Sequence, residues 1–445
     1  MTLKPTPTKN IILFSLLSGT LITTISAHAY EFYNQNGTTV SGDLEAVFGA
    51  MHSQKNYGLL GTQRAGSSSW REGYLKYGLH GSQQMDNFGS MYGAFSMVSS
   101  ATWGDGDAGG FTKGTERRTA VEDAYLGWRS DTLFPALGEN GIDISFGSQK
   151  IVVGDGFLIN GDAVSLGDVA LGEDYDRGGA FYIAPRKAFD HTAVLRLGGD
   201  KGWRGDLMWL RSDNPAQAET ELTIATLEHI SEPGTLGLTY IRTSDVNERF
   251  ATPAQLSREG METISLRGNG SLGVKDLNLS FEYASQDSSQ GSENAWYLES
   301  SWNFSDTFWT PTLTYRFSRF SENFDPLFYG MSRGYGTWYQ GEVASNYAGP
   351  LNSNTRVHHV GLKITPREDL TIGALYFDFN SINKNLGNFD GRELDIYAEW
   401  RVDEHWTVSP VLGLFKPERS GSEGGSQLGG NGTSTYTQLI IATVF

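Results

Sequence analysis

From Tyr30 onward the apolar positions recur at every second residue, and no long stretch carries the 3.6-residue period of an amphipathic helix. Leu277, Leu279, Phe281 and Tyr283 alternate with Asn278, Ser280, Glu282 and Ala284. Leu313, Tyr315 and Phe317 alternate with Thr312, Thr314, Arg316 and Ser318, and Ile142, Ile144 and Phe146 with Asp143, Ser145 and Gly147. Opposite Leu394, Ile396, Ala398 and Trp400 stand Glu393, Asp395, Tyr397 and Glu399, a face that no dry interior accepts without partners. Each segment therefore predicts a strand with one apolar and one wet face.

Such segments fall at 39–51, 70–81, 87–102, 118–129, 141–149, 189–199, 203–212, 218–229, 234–243 and 260–270. They continue at 274–285, 292–303, 309–321, 336–346, 354–364, 370–380, 390–401, 405–415 and 434–445, nineteen candidates in all. Single-chain bacterial barrels have even strand numbers, and 336–346 reads as aromatic loop as readily as strand, so setting it aside leaves eighteen.

Two all-β architectures fit the alternation. A secreted sandwich or β-helix buries its apolar faces on itself, whereas a membrane barrel turns them to lipid. The barrel is favoured by strands of the length a tilted crossing needs. Aromatics also gather near strand ends, at Trp70, Trp103, Trp128, Trp203, Trp302, Trp309, Trp400 and Trp406, as interfacial girdles do. Tight connections such as 198–202 alternate imperfectly with long polar ones at 104–117, 244–259 and 416–433. Finally, Leu439, Ile441, Thr443 and Phe445 share one face, and the sequence stops at that phenylalanine. This ending resembles the assembly signal of bacterial outer-membrane barrels, which implies the barrel-assembly machinery as a partner.

The first residues predict an export signal. Lys4 and Lys9 precede the apolar run 11–25, and Ala27-His28-Ala29 is a small-x-small cleavage site, so residues 1–29 read as signal peptide. Residues 30–445 read as one outer-membrane barrel domain, with 30–38 a short periplasmic-side lead. The chain of 445 residues has a formal charge of −17, which argues against nucleic-acid binding. It has no cysteine, which removes thiol chemistry, disulfides and lipid anchors together.

The conspicuous interruption is 150–187, 38 residues between two good strands. Ile151, Val152, Val153, Phe157, Leu158, Ile159, Val164 and Leu166 need shelter there, which predicts inward folding into the lumen. The charged residues of the segment would then form a constriction with both signs of charge: Asp155, Asp162, Asp168, Glu173, Asp174, Asp176, Arg177, Arg186 and Lys187. The bland alternative is a solvated external loop. Ca²⁺ among these carboxylates is a further reading, although the EF-hand spacing is absent; no other cofactor or metal is expected. The polar faces project Lys76, Arg129, Arg196, Arg204, Arg316, Arg356 and Arg401 inward, with Glu282, Glu393, Asp395 and Glu399 among the acids.

Phe324-Asp-Pro-Leu-Phe-Tyr-Gly330 and Tyr335-Gly-Thr-Trp-Tyr-Gln-Gly-Glu342 resemble alginate-export-type outer-membrane porins. So do Tyr315-Arg-Phe-Ser-Arg-Phe320, Glu122-Asp-Ala-Tyr-Leu-Gly-Trp128, Gly147-Ser-Gln-Lys150 and Gly154-Asp-Gly156. The resemblance implies a monomeric eighteen-stranded barrel among outer-membrane lipid and lipopolysaccharide, whose best-known relative passes an anionic exopolysaccharide through a basic pore. The mixed charge of the projected lumen departs from that pattern. The function expected is passive movement of a polar, saccharide-like or small organic solute, with an anion as one reading. An adhesin or structural barrel is the rival. A barrel-borne lipid hydrolase is a lesser one, since no Gly-x-Ser-x-Gly element or paired metal-ligating histidines occur.

Overall fold

The structure, a computed structural model, describes residues 30–169, 171–330 and 340–445. The expected signal peptide and residues 336–339 of the discarded strand candidate lie outside them. After a short β1 (Tyr30–Gln35) come β2 (Thr38–Ser53), β3 (Ser68–Met85), β4 (Gly89–Gly104), β5 (Arg117–Arg129), β6 (Ile142–Gln149) and β7 (Phe189–Leu197). Next are β8 (Gly202–Arg211), β9 (Glu221–Ser231), β10 (Gly234–Asp245), β11 (Glu262–Gly270), β12 (Leu277–Ser288) and β13 (Gly291–Asn303). The last are β14 (Thr312–Phe320), β15 (Thr355–Arg367), β16 (Leu370–Ser381), β17 (Gly391–Arg401), β18 (Trp406–Pro417) and β19 (Ser434–Val444).

From β2 to β19 every strand pairs antiparallel with its sequence neighbour, and β19 pairs with β2 from Tyr436↔Ser53 to Val444↔Glu45. The result is a closed ring of eighteen strands, which leaves no free edge along its wall. The eighteen retained candidates each correspond to one of them. Described residues 340–346 are turn and short helix rather than strand.

β1 stands outside the ring. It pairs with residues 38–42 of β2, in the lane that β19 vacates at Phe445. Its hairpin turns on Asn36-Gly37, both at positive φ (53° and 72°), where glycine is unstrained and asparagine tolerated. The expected lead segment is thus a strand.

Alternation separates the two faces of the wall. Leu75, Leu79, Phe95, Leu126, Phe146, Leu207, Leu238, Leu266, Leu298, Leu313, Leu362 and Ile396 are all exposed on the outside. So continuous an apolar surface is far larger than a soluble monomer exposes, and it fits the outer membrane. Longer connections lie mostly at the end opposite the chain termini, with the two-residue link 289–290 there and the twelve-residue link 130–141 at the terminus end as exceptions. Around the terminus end run Phe88, Trp203, Trp302, Phe304, Phe308, Trp309, Trp400 and Trp406, an interfacial girdle. Trp70 does not belong to it: Ser68, Trp70 and Glu72 share the inward face of β3, and its ring meets Tyr347 edge-on at 5.5 Å.

Candidate pore and its luminal segments

The described residues of two connections, 150–169 with 171–188 and 321–330 with 340–354, occupy space inside the ring. The first touches opposite walls. At one end Asp155 accepts hydrogen bonds from Tyr297 Oη at 2.7 Å and Ser280 Oγ at 3.1 Å, on β13 and β12. Halfway round the ring, Glu72 of β3 accepts the backbone N–H groups of Tyr182 (2.9 Å) and Ile183 (3.1 Å). Glu122 of β5 likewise takes those of Lys187 (2.7 Å) and Ala188 (3.0 Å), and Thr102 of β4 takes that of Ala180 (2.7 Å). Ile151, Val153, Phe157, Leu158, Ile159, Val164 and Leu166 are buried along this path.

Sequence reasoning read 336–346 in the second segment as aromatic loop as readily as strand and did not place it in the lumen, yet described residues 328–330 lie alongside the first segment. Asn160 N–H donates to Phe328 O at 2.7 Å, Phe328 N–H to Leu158 O at 3.0 Å, and Gly330 N–H to Gly156 O at 2.8 Å. Tyr182 Oη donates to Glu342 at 2.6 Å. Glu393 of β17 accepts the N–H groups of Val343 (2.6 Å) and Ala344 (2.9 Å), repeating the device of Glu72 and Glu122. Gly341, at φ 88°, passes so close that a Cβ would stand 2.7 Å from the Glu393 carboxyl. A carboxylate on two consecutive amides gives charge-assisted bonds to donors that would otherwise be orphaned inside the barrel. The legible signal was length, since 34 residues between good strands exceed an ordinary turn.

The predicted constriction residues do not form one ring. Asp162 is fully buried, accepting from Ser212 Oγ (2.7 Å) and Asn214 Nδ2 (2.9 Å) and pairing with Arg177 at 3.3 Å. Asp213 bridges Arg177 (3.2 Å) and Arg186 (2.9 Å). Burial pushes Asp162 above the usual carboxylate range; Asp213 is also desolvated, but the two arginines hold it below that range. Asp162 and Arg177 are therefore packing elements walled off from solute, because a buried charge persists only with such partners. Asp168 is paired with Lys113. Asp174 is exposed and pairs with Arg249 at 2.5 Å, so with Glu173 it marks the long-loop mouth rather than a narrowing. Asp176 is half-buried and accepts its own loop's Gly178 N–H at 2.8 Å. Among the described residues no group of three or more His, Asp or Glu is placed to hold a metal ion.

Of the lumen set, Lys76, Arg129, Arg196, Arg204, Arg316, Glu282, Glu393, Asp395 and Glu399 have inward register. Three form ion pairs within the wall: Lys76 with Asp123 at 2.6 Å, Arg204 with Asp206 at 3.2 Å, Arg316 with Glu299 at 3.3 Å. Glu282 accepts from Ser265 Oγ at 2.5 Å. Arg356 is misassigned. It shares the exposed face of Val360 and Leu362, one residue out of phase with inward Val357 and His359. Arg401, at the strand end, donates to Glu368 O in the neighbouring turn at 2.8 Å and is exposed.

One group absent from the expected set stands out. Lys150 is open to the lumen beside Lys187 and Lys76, its Cγ near Gly161. Burial of most of its surroundings, then Lys187 and Lys76, push it down to about 8; Glu122 and Glu45 oppose them. Lys187 is also pushed down, chiefly by burial. Among the described residues neither ammonium group meets a carboxylate within 4.0 Å.

No family model and no curated protein matches the chain. Solved structures do. Pseudomonas aeruginosa OccK2 (OpdF) aligns with a TM-score of 0.58 at 12% identity, covering 91% of this chain and 97% of the other. Acinetobacter baumannii OccAB2 aligns at 0.56 and 10%, covering 91% and 98%. Pseudomonas aeruginosa OpdQ aligns at 0.56 and 9%, again covering 91% and 98%. At such identities the likeness concerns the fold, a porin-type barrel.

Proposed function

We propose that this protein is a monomeric diffusion channel in the outer membrane of a Gram-negative bacterium, exported by its first 29 residues and passing a small polar solute with a preference for anions. The observation that carries the reading is the set of luminal ammonium groups at Lys150 and Lys187, beside Lys76, in a barrel whose cross-section is narrowed by two internal segments. Fixed charge at a narrowing acts strongly on a solute because the surrounding wall excludes the water that would screen it. No chemical step is needed. The terminal pairing of Phe445 with Leu44, N–H to O at 2.8 Å, supports assembly that ends by closing the C-terminal strand on β2.

Liposome swelling tests the reading. Proteoliposomes should admit a hexuronate faster than a neutral hexose of the same size, and K150Q/K187Q should bring the two rates together. Absence of swelling with either solute would reject the channel and favour the adhesin reading.

The resemblance to alginate-export-type porins suggests a second reading, export of an anionic polymer. Against it, the first internal segment crosses the ring from Asp155 at β12 and β13 to Glu72 and Glu122 at β3 and β5, and Glu342, Glu393 and Asp395 are buried where the second segment meets the wall. A lumen divided in this way suits a small solute better than a threading polymer, so the small-solute reading is favoured.

A further inference from the structure

The outer wall is apolar over most of its height, but at the long-loop end a row of cations crosses β14 to β18. Arg319 and Arg356 are directly opposite each other in the β14–β15 ladder, and Arg392 and Lys416 are opposite in the β17–β18 ladder. Each stands one residue from the long-loop end of its strand. All four share the outward faces that carry Leu313, Phe317, Val360, Leu362, Leu394, Ile396 and Leu412 lower down. They therefore sit where the greasy surface stops, at the level of lipid head groups.

Two carboxylates face the row: Asp378 of β16 accepts from Arg392 at 3.0 Å, and the exposed Glu418, two residues past Lys416, also acts on Arg392. Arg319 donates to Asn294 Oδ1 at 3.0 Å and Lys416 to Asn431 O at 2.9 Å. Arg356 is exposed, and among the described residues nothing accepts from its guanidinium. Like charges placed directly across a ladder destabilise it unless an anion sits between them. Guanidinium forks match phosphate oxygens in pairs. The opposite end of the barrel differs: its turns carry Asp200, Glu232, Asp306, Glu368, Asp369, Asp403 and Glu404, with Lys201, Lys275 and Arg367 between.

We propose that Arg319, Arg356, Arg392 and Lys416 seat the phosphate groups of an anionic glycolipid in the leaflet surrounding the long-loop end. The proposal rests on the barrel lying in a membrane and is independent of what passes through it. Arg319 and Arg356 take one phosphate between them, while Arg392 and Lys416, partly neutralised by Asp378, take a second more weakly.

The test uses the full-length protein in neutral detergent, with thermal unfolding followed as lipid is added. Bisphosphorylated lipid A should raise the midpoint, whereas dephosphorylated lipid A with the same acyl chains and inorganic phosphate should leave it unchanged. In R319Q/R356Q the lipid concentration for half-maximal effect should rise roughly thirtyfold, the loss expected for two interfacial cations. Without lipid the variant should be no less stable than the parent, since a like-charge pair has been removed, and its bilayer conductance should be unchanged. Equal stabilisation by dephosphorylated lipid or by inorganic phosphate would overturn the proposal. So would an unaltered lipid response in the variant, or a variant already destabilised in neutral detergent. A protein that binds the lipid as described yet conducts nothing would sink the channel reading alone.

Discussion

Lys150 shows how one side chain links packing to permeation. An ammonium group held down to about 8 is charged at pH 7 and largely neutral by pH 9. Anion preference should therefore fall as pH rises through about 8, because the positive form is the one lost. Reversal potentials under a salt gradient at pH 6.5 and 9 would register the fall, and K150Q should flatten the profile; a profile as steep in K150Q as in the parent would assign the titration elsewhere. Glu72 makes the complementary point. Replacing it with alanine removes the acceptor for Tyr182 and Ile183 N–H inside the barrel, at about 1–3 kcal/mol for each donor left unsatisfied. The expected outcome is a lower unfolding midpoint and noisier open-channel current, because the strap on the β3 side is released. At this scale the sequence was legible only in part. Alternation put Glu282, Glu393 and Arg316 on the inner face. It misassigned Arg356 because Arg356, His358 and Val360 share the outer face while the adjacent His359 and Val357 share the inner one. Whether an inward charge meets solute or a backbone amide is decided by loops remote in sequence, which is why the wall carboxylates Glu72 and Glu122 were not foreseen as anchors.

Among the elements, the wall was legible because every ring strand has to alternate to keep lipid on one side and polar contents on the other. β1 was legible in principle, through Asn36-Gly37, the strongest short hairpin signal, but it is six residues long and exposed on both faces, so it carries no alternation. Because β19 closes on β2 without it, deleting residues 30–35 should leave a folded barrel. A retained mobility shift between heated and unheated samples on a denaturing gel would show this; loss of the shift would make β1 part of the closure. The luminal segments have no period to read, since their apolar groups pack irregularly against each other. Ile159 and Phe328 bridge as a single parallel contact, and Phe157 stacks on Phe320 at 5.8 Å. Deleting 160–180 removes the buried Asp162–Arg177 pair and the Ala180 bond to Thr102, while leaving the attachments at Asp155 and at Tyr182 to Ala188. Single-channel conductance should then rise severalfold, whereas an unchanged conductance would mean that current passes elsewhere.

On the scale of the whole molecule, charge is sorted rather than scarce. The formal charge of −17 is compatible with anion passage because many inner-face acids are engaged by backbone amides, arginine or hydroxyls, while Lys150 remains open and the half-buried Lys187 meets no carboxylate among the described residues. A net value says little about a pore when the nearest side chains dominate the field a solute meets. The account as a whole requires a lipid-facing ring of eighteen strands with a water-filled path past the two internal segments. Planar-bilayer recording of the purified protein tests that requirement most directly. It predicts discrete, ohmic single-channel steps whose reversal potential in a salt gradient lies on the anion side at neutral pH. A bilayer that stays silent although the protein has demonstrably inserted would contradict it.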